Sequence, residues 1–312
     1  MSEQNWEREV LERLVVTALQ EQRKSRNWGI FFKLLGFSYL FLVLALIFGW
    51  KSASSADPVR TGPHTALVEL RGVIAPGSAA SAENVIEGLR AAFKDNNTKG
   101  VVLRINSPGG SPVQAGQIND EIRRLRKLHP DVPLYAVVED ICASGGYYVA
   151  VAADKIFVDK ASLVGSIGVL MDGFGFTSAM DKLGVERRLL TAGENKGFLD
   201  PFSPQNPEQV QYAKTMLGEV HQQFIDVVRQ GRGKRLKEDQ TLFSGLIWSG
   251  EKSVALGLTD GLASADTVAR DVIKAENLVD FTPRESLVDR FARSLGTAAG
   301  EQLGTTFELK MR

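Results

Sequence analysis

The chain has 312 residues, 44% of them hydrophobic, with 37 basic and 37 acidic side chains, three histidines and one cysteine. Zero formal charge argues against a dedicated nucleic-acid binder, which carries surplus Lys and Arg to neutralise phosphates. Cys142 alone cannot form an internal disulfide, and His64, His129 and His221 share no short ligand spacing, so neither a metal nor another cofactor is expected.

In chain order, residues 1–27 come first. Trp6, Val10, Leu14, Val15 and Leu19 recur at helical spacing and predict an amphipathic arm. Trp28 to Trp50 then reads WGIFFKLLGFSYLFLVLALIFGW, with Lys33 as its only charge. At about 1.5 Å per residue this run crosses roughly 30 Å of hydrocarbon, so 28–50 is predicted as a transmembrane anchor with an interfacial tryptophan at each end. Residues 1–33, which precede the uncharged core, are long for the charged region of a cleaved signal peptide, which favours a retained anchor. Arg23, Lys24, Arg26 and Lys33 flank it on the N-terminal side, against Lys51 and Arg60 beyond it. The excess on one side predicts a cytoplasmic N-terminus, with everything after residue 50 outside the cytoplasm.

Residues 51–63 are small, polar and Pro-containing, and read as a linker. A domain over 64–280 follows, in which strands and helices alternate. Strands are predicted at 65–73, 100–105, 134–139 and 155–158. Helices are predicted at 81–94 with Ser81 as N-cap, at 112–128 after Ser111 with Pro112 in its first turn, and at 144–153. This order means βαβ units and an α/β fold. A long helix over 206–229 carries the stripe Val210, Ala213, Leu217, Val220, Phe224 and Val227. That stripe suits the domain's own sheet or a neighbouring subunit equally. Residues 281–312 form a tail, in which 286–303 is a candidate amphipathic helix.

In open α/β sheets, function collects where strands end and helices begin. Two such junctions are rich in glycine. At Asn106-Ser107-Pro108-Gly109-Gly110, paired glycines expose backbone N–H groups beside a helix start, as an oxyanion hole requires; an ordinary tight turn has the same composition. At Cys142-Ala143-Ser144-Gly145-Gly146, a serine stands between strand and helix with a glycine after it. That is the logic of a nucleophile elbow without its G-x-S-x-G pattern, and equally that of a capping serine. A nucleophilic serine needs a base. None of the three histidines adjoins either junction in sequence, and each reads more readily as structural or solvated. A lysine shielded by apolar neighbours can serve instead. Lys196, in the loop Gly193-Glu194-Asn195-Lys196-Gly197-Phe198-Leu199, is a candidate, although by composition it is one lysine among many.

N-S-P-G-G at 106–110, A-S-G-G-Y-Y at 143–148, G-S-I-G-V at 165–169 and G-E-N-K-G-F-L-D-P-F at 193–202, in this order and spacing, resemble the short form of the signal peptide peptidase A family. The resemblance covers residues 65–275. It implies a Clp-protease/crotonase-like fold, a bacterial membrane-bound serine peptidase with a Ser-Lys dyad, and remnant signal peptides as apolar substrates. It further implies Ser144 as nucleophile, Lys196 as general base, Ser166 orienting the lysine, and Gly110 and Gly145 as oxyanion donors. A homo-oligomeric ring is implied, with sites completed between neighbouring protomers and the catalytic domain on the outer side of the bacterial inner membrane. A Ser-Lys peptidase acting on another membrane protein, a crotonase-like acyl-CoA enzyme and a non-catalytic scaffold of the same fold are the rival readings. The anchor and the Ser144/Lys196 pair count against the acyl-CoA enzyme.

Overall fold

The computed structural model describes residues 3–54, 62–237 and 241–283, and divides into two compact units, Met1–Thr61 and Gly62–Arg312. Among the described residues the first contains a single helix, α1 (Glu3–Ser54). The predicted arm and anchor are therefore one continuous element; no proline interrupts residues 3–54, and Gly29 and Gly36 only weaken a helix that their neighbours favour. Trp28 stacks on Phe32 and meets Phe31 edge-on, both at 5.7 Å between ring centroids. Ile30, Leu34, Phe37 and Phe41 are exposed on this helix. Among the described residues no helix is long and apolar enough to cross a membrane; the side chains of 44–54, which include the end of the predicted span, lie outside that set. The linker residues 55–61 and the tail from 284, with its predicted helix, also lie outside the described residues.

The second unit opens with β1 (His64–Arg71), α2 (Ala82–Lys94), β2 (Thr98–Ser107), α3 (Pro112–Leu128) and β3 (Leu134–Ala143). The signals that predicted the helices act as expected. The Ser81 and Ser111 hydroxyls accept from the N–H groups of Asn84 and Gln114, and Pro112 occupies the first turn of α3. After β3 come α4 (Gly145–Ala150), β4 (Lys155–Val158), β5 (Leu163–Gly165), α5 (Thr177–Leu183) and α6 (Pro207–Arg232). The chain then forms β6 (Ile247–Ser249), α7 (Gly250–Ala255), β7 (Gly261–Leu262), the short α8 (Ala265–Thr267) with a π-helical turn, and β8 (Leu278–Asp280).

The strands form one sheet in the order β6-β5-β3-β2-β1-β8, with β4 and β7 branching from β3. Every pairing is parallel except β5 with β6. A mostly parallel sheet joined by helices fits the Clp-protease/crotonase-like architecture. Alternate residues of β1 and β2, from Ala66 to Leu70 and Val101 to Ile105, face α2 and α3 and form the main core. Leu67, Val102 and Val137 face the other way, onto Ala265 and Val268.

Strand β3 divides its pairing. Its first half pairs with β4, through Tyr135–Val137, and its last residues, Ile141–Ala143, pair with β5. A register shift between Ile105 and Ser107 brings Ser107 opposite Cys142. The end of β3 thereby lies beside the end of β2 on one side and Gly165 on the other, with both glycine-rich junctions at one rim of the sheet.

Candidate active site

Ser144 follows the last residue of β3 and precedes the first of α4. Its N–H donates to the Gly165 carbonyl at 2.9 Å, and its own carbonyl accepts from Tyr148 N–H, so the chain turns within one residue from strand to helix. The turn forces φ to +51°, where L side chains are uncommon. Although Ser144 occupies the N-cap position of α4, its hydroxyl makes no capping hydrogen bond. The capping reading of this serine is therefore set aside: the side chain is held at the helix start without serving the helix.

The other junction fits against it. Ser107 Oγ donates to Gly72 carbonyl at 2.6 Å and accepts from Gly109 N–H at 3.1 Å. Ile74 N–H donates to Gly109 carbonyl, and Ser111 N–H to Ile74 carbonyl. Gly110 between them has φ +146°, and a Cβ there would overlap the Ile74 carbonyl oxygen. A Cβ on Gly109 would lie 2.7 Å from both Gly145 N and Ser144 Cβ, and one on Gly145 would lie 3.3 Å from Gly110 N. Only glycines let these two backbones approach so closely. Neither the Gly110 nor the Gly145 N–H has an acceptor among the described residues.

Ser144, Gly110 and Gly145 open together on a cavity of about 50 Å³. Pro112 and Ala115 of α3, Tyr148 of α4, Gly168 and Val169, and Val220, Gln223 and Phe224 of α6 complete its walls. Tyr148 and Phe224 lie 5.1 Å apart between ring centroids, and Phe224 is buried. None of the lining residues is a histidine, lysine, aspartate or glutamate. The α6 contribution was not foreseen as part of a site; Phe224 was legible only as one position in an apolar stripe. Of that stripe, Ala213 and Phe224 are buried, joined by Val228 and Arg232, while Val210, Leu217, Val220 and Val227 are half-buried.

Ser166 adjoins Ser144 through Gly165. It too has positive φ, +53°, and its N–H donates to Leu246 carbonyl at 2.7 Å. Lys196 is elsewhere: its N–H closes a turn onto Gly193 carbonyl, its side chain is exposed, and it neither lines the cavity nor bonds Ser166. The shielding expected from its apolar neighbours is not supplied by the chain on its own.

The histidines divide by environment. His64 is buried, with Nε2 3.3 Å from Thr98 Oγ1, and His129 caps α3 against Phe93. His221 on α6 places Nε2 3.1 Å from the Ile167 carbonyl oxygen. Cys142, two residues before Ser144, is fully buried, and burial pushes its thiol well above the ordinary range, consistent with the inert residue expected there. Among the described residues no group of His, Cys, Asp and Glu could hold a metal.

Two deeper contacts hold α4. Tyr147 hydroxyl donates to Leu258 carbonyl at 2.7 Å, and Asn119 Nδ2 donates to Tyr148 carbonyl at 2.7 Å. The segment that receives Tyr147 is fixed by Arg232, whose guanidinium is bidentate to Asp260 at 2.8 and 2.9 Å and donates through Nε to Gly257 carbonyl. Burial opposes ionisation of Asp260, but the Arg232 hydrogen bonds and charge, with the Ile156 N–H, hold its carboxyl below the ordinary value.

An unengaged serine at a strand-to-helix turn, with two unpaired backbone N–H groups beside it, is an arrangement for acyl transfer. The family model for peptidase family S49 matches residues 126–279. A Brucella abortus protein named as the Na(+)/H(+) antiporter NhaA is 39% identical over 246 residues, 75% of this chain and 32% of that protein. A candidate signal peptide peptidase SppA from Enterococcus faecium is 31% identical, over 71% of this chain and 65% of its own length. Protease 4 of Haemophilus influenzae is 31% identical, over 69% and 35%. The chain thus spans about a third of the first and third of these relatives and under two thirds of the second. The chain belongs to peptidase family S49. Within that family it is an SppA-like member, similar to chains that include a chloroplastic serine protease SPPA of Arabidopsis thaliana.

Proposed function

We propose that the chain is a membrane-anchored serine endopeptidase that degrades remnant signal peptides, with Ser144 as nucleophile and Lys196 as general base. The observation that carries this reading is Ser144, strained at φ +51°, free of any capping role, and open to a cavity flanked by the unpaired N–H groups of Gly110 and Gly145. Strain of this kind costs on the order of 1–3 kcal/mol and persists where function requires it.

In the reaction, Ser144 Oγ bonds to the scissile carbonyl carbon while its proton passes to the Lys196 amine. The carbonyl electron pair moves onto oxygen and is held by Gly110 and Gly145. Collapse of this intermediate breaks the C–N bond, and the leaving amine takes the proton. Water then attacks the acyl carbon and gives a proton to Lys196; as the bond from the acyl carbon to Ser144 Oγ breaks, Lys196 returns that proton to Oγ and the acid product leaves. Ser166 orients the lysine.

Lys196 reaches Ser144 from a neighbouring protomer of a homo-oligomer. Two observations support this: the cavity has no histidine, lysine, aspartate or glutamate of its own, and Lys196 stands exposed on a segment that also exposes Leu170, Phe174, Leu183 and Leu190, the last at 96%. The substrate enters extended, with its backbone along the unpaired stretch 168–171 and a small side chain in the cavity. The space equals that of one or two water molecules at about 30 Å³ each. The apolar run 28–50 and its basic N-terminal flank support a single-pass anchor in the bacterial inner membrane, with the catalytic unit outside the cytoplasm.

The test is cleavage of a labelled signal peptide by the full chain in lipid vesicles. Ser144→Ala and Lys196→Ala are each expected to lower the rate on the order of 10³-fold or more. Unchanged cleavage in either variant rejects the role of that residue.

A further inference from the structure

His221 belongs to none of the steps above, yet it holds the wall of the site. It lies on α6 between Val220 and the pair Gln223 and Phe224, all three of which line the cavity. The hydrogen on Nε2 is directed at the Ile167 carbonyl oxygen, 3.1 Å away, in the tautomer that makes this bond. Ile167 is fully buried and stands between strained Ser166 and the cavity residues Gly168 and Val169.

Three ties fix this part of the chain: Gly165 carbonyl to Ser144 N–H, Ser166 N–H to Leu246 carbonyl, and Ile167 carbonyl to His221. Beyond them, the next backbone hydrogen bond among the described residues is Phe176 N–H to Pro201 carbonyl. His221 is therefore the last anchor before an untied stretch whose first two residues face the nucleophile.

We propose that His221 is a positioning residue: its Nε2–H bond to Ile167 carbonyl sets the 168–169 edge at the spacing from Ser144 that lets the edge receive a substrate backbone. This rests on the peptidase reading above. A histidine does this better than an aliphatic residue because the carbonyl is partly buried and needs a donor. It acts on the edge, not on the reacting atoms. Its absence therefore weakens the use of extended substrates while Ser144 and its oxyanion donors stay in place.

The test compares wild type with His221→Leu and His221→Gln in the full chain, in vesicles. One readout is kcat and KM on an extended apolar peptide. The other is the rate at which a short alkyl fluorophosphonate, which needs the serine but not the edge, labels Ser144. His221→Leu is expected to lose about 10- to 100-fold in kcat/KM on the extended peptide, the scale of a small misplacement of substrate. Its labelling rate stays within about twofold, and His221→Gln, which retains a donor, recovers most of the loss. Wild-type cleavage by His221→Leu overturns the proposal, as does a labelling rate that falls in parallel, which assigns His221 to general support of the fold. If wild type itself neither labels at Ser144 nor cleaves the peptide, the peptidase reading fails and this proposal falls with it.

Discussion

Ser144 has a backbone conformation suited to glycine and a hydroxyl that the helix does not use. If the serine is kept for chemistry at a conformational cost, Ser144→Gly should be inactive yet more stable than Ser144→Ala. The expected gap is about 1 kcal/mol, because alanine keeps the strain and glycine relieves it. Urea unfolding midpoints of the two variants check this, and equal midpoints would show that the turn is not strained. Phe224 is the second residue with a decisive position. It is buried against Tyr148 and lines the cavity of about 50 Å³, which under the proposed function limits the side chain next to the cut. Shortening it by Phe224→Leu should raise the preference for leucine over alanine next to the cut by about tenfold, measured as the ratio of kcat/KM on paired peptides. The sequence marks Ser144 by the glycines that follow it. It marks Phe224 only as apolar, since a pocket wall and a core position obey the same periodicity.

Among the elements, α3 and β4 begin and end where the sequence places them, because Ser111, Pro112 and the apolar run of β4 are local signals. The three-residue β5 and the short α5 are not legible in this way. Strand β5 exists because β3 continues past β4 and needs a second partner, and no local pattern encodes that. Tertiary pairing also explains Arg232, the last residue of α6 and past the predicted end at 229. It is almost fully buried, and its bond to Asp260 ties α6 to the segment that anchors Tyr147. Asp260→Asn leaves a buried guanidinium without its counter-charge and should cost about 3–5 kcal/mol at pH 7. The Asp260 carboxyl lies below its ordinary value in the fold. Its stabilisation is thus present above the unfolded value of about 3.9 and is lost as pH falls through the folded one. The stability difference between wild type and Asp260→Asn should therefore narrow in acid, as urea midpoints at pH 7 and pH 3 will record.

For the whole molecule, Ser144, Gly110 and Gly145 converge on one cavity, while Lys196 stands exposed and apart from it, so under the proposed function a single chain is an incomplete catalyst. Under the proposed shared site, inactive Ser144→Ala and Lys196→Ala chains should restore activity when they assemble together. One chain type supplies the serine to the lysine of the other. Random mixing at equal amounts should recover roughly a quarter of the wild-type rate if each site draws on two chains independently. A verified mixed oligomer without activity would reject the shared site. Sequence alone determined the alternation of strands and helices, the glycine-rich junctions and the apolar run near the N-terminus, since each depends on neighbours in the chain. Tertiary structure alone decided that Ser144 is not a cap, that α6 walls the cavity, that His221 grips the edge beside it, and that Lys196 is not shielded by its own chain. Those outcomes depend on which distant backbones approach one another, and contacts between segments far apart in sequence leave no local periodicity to read.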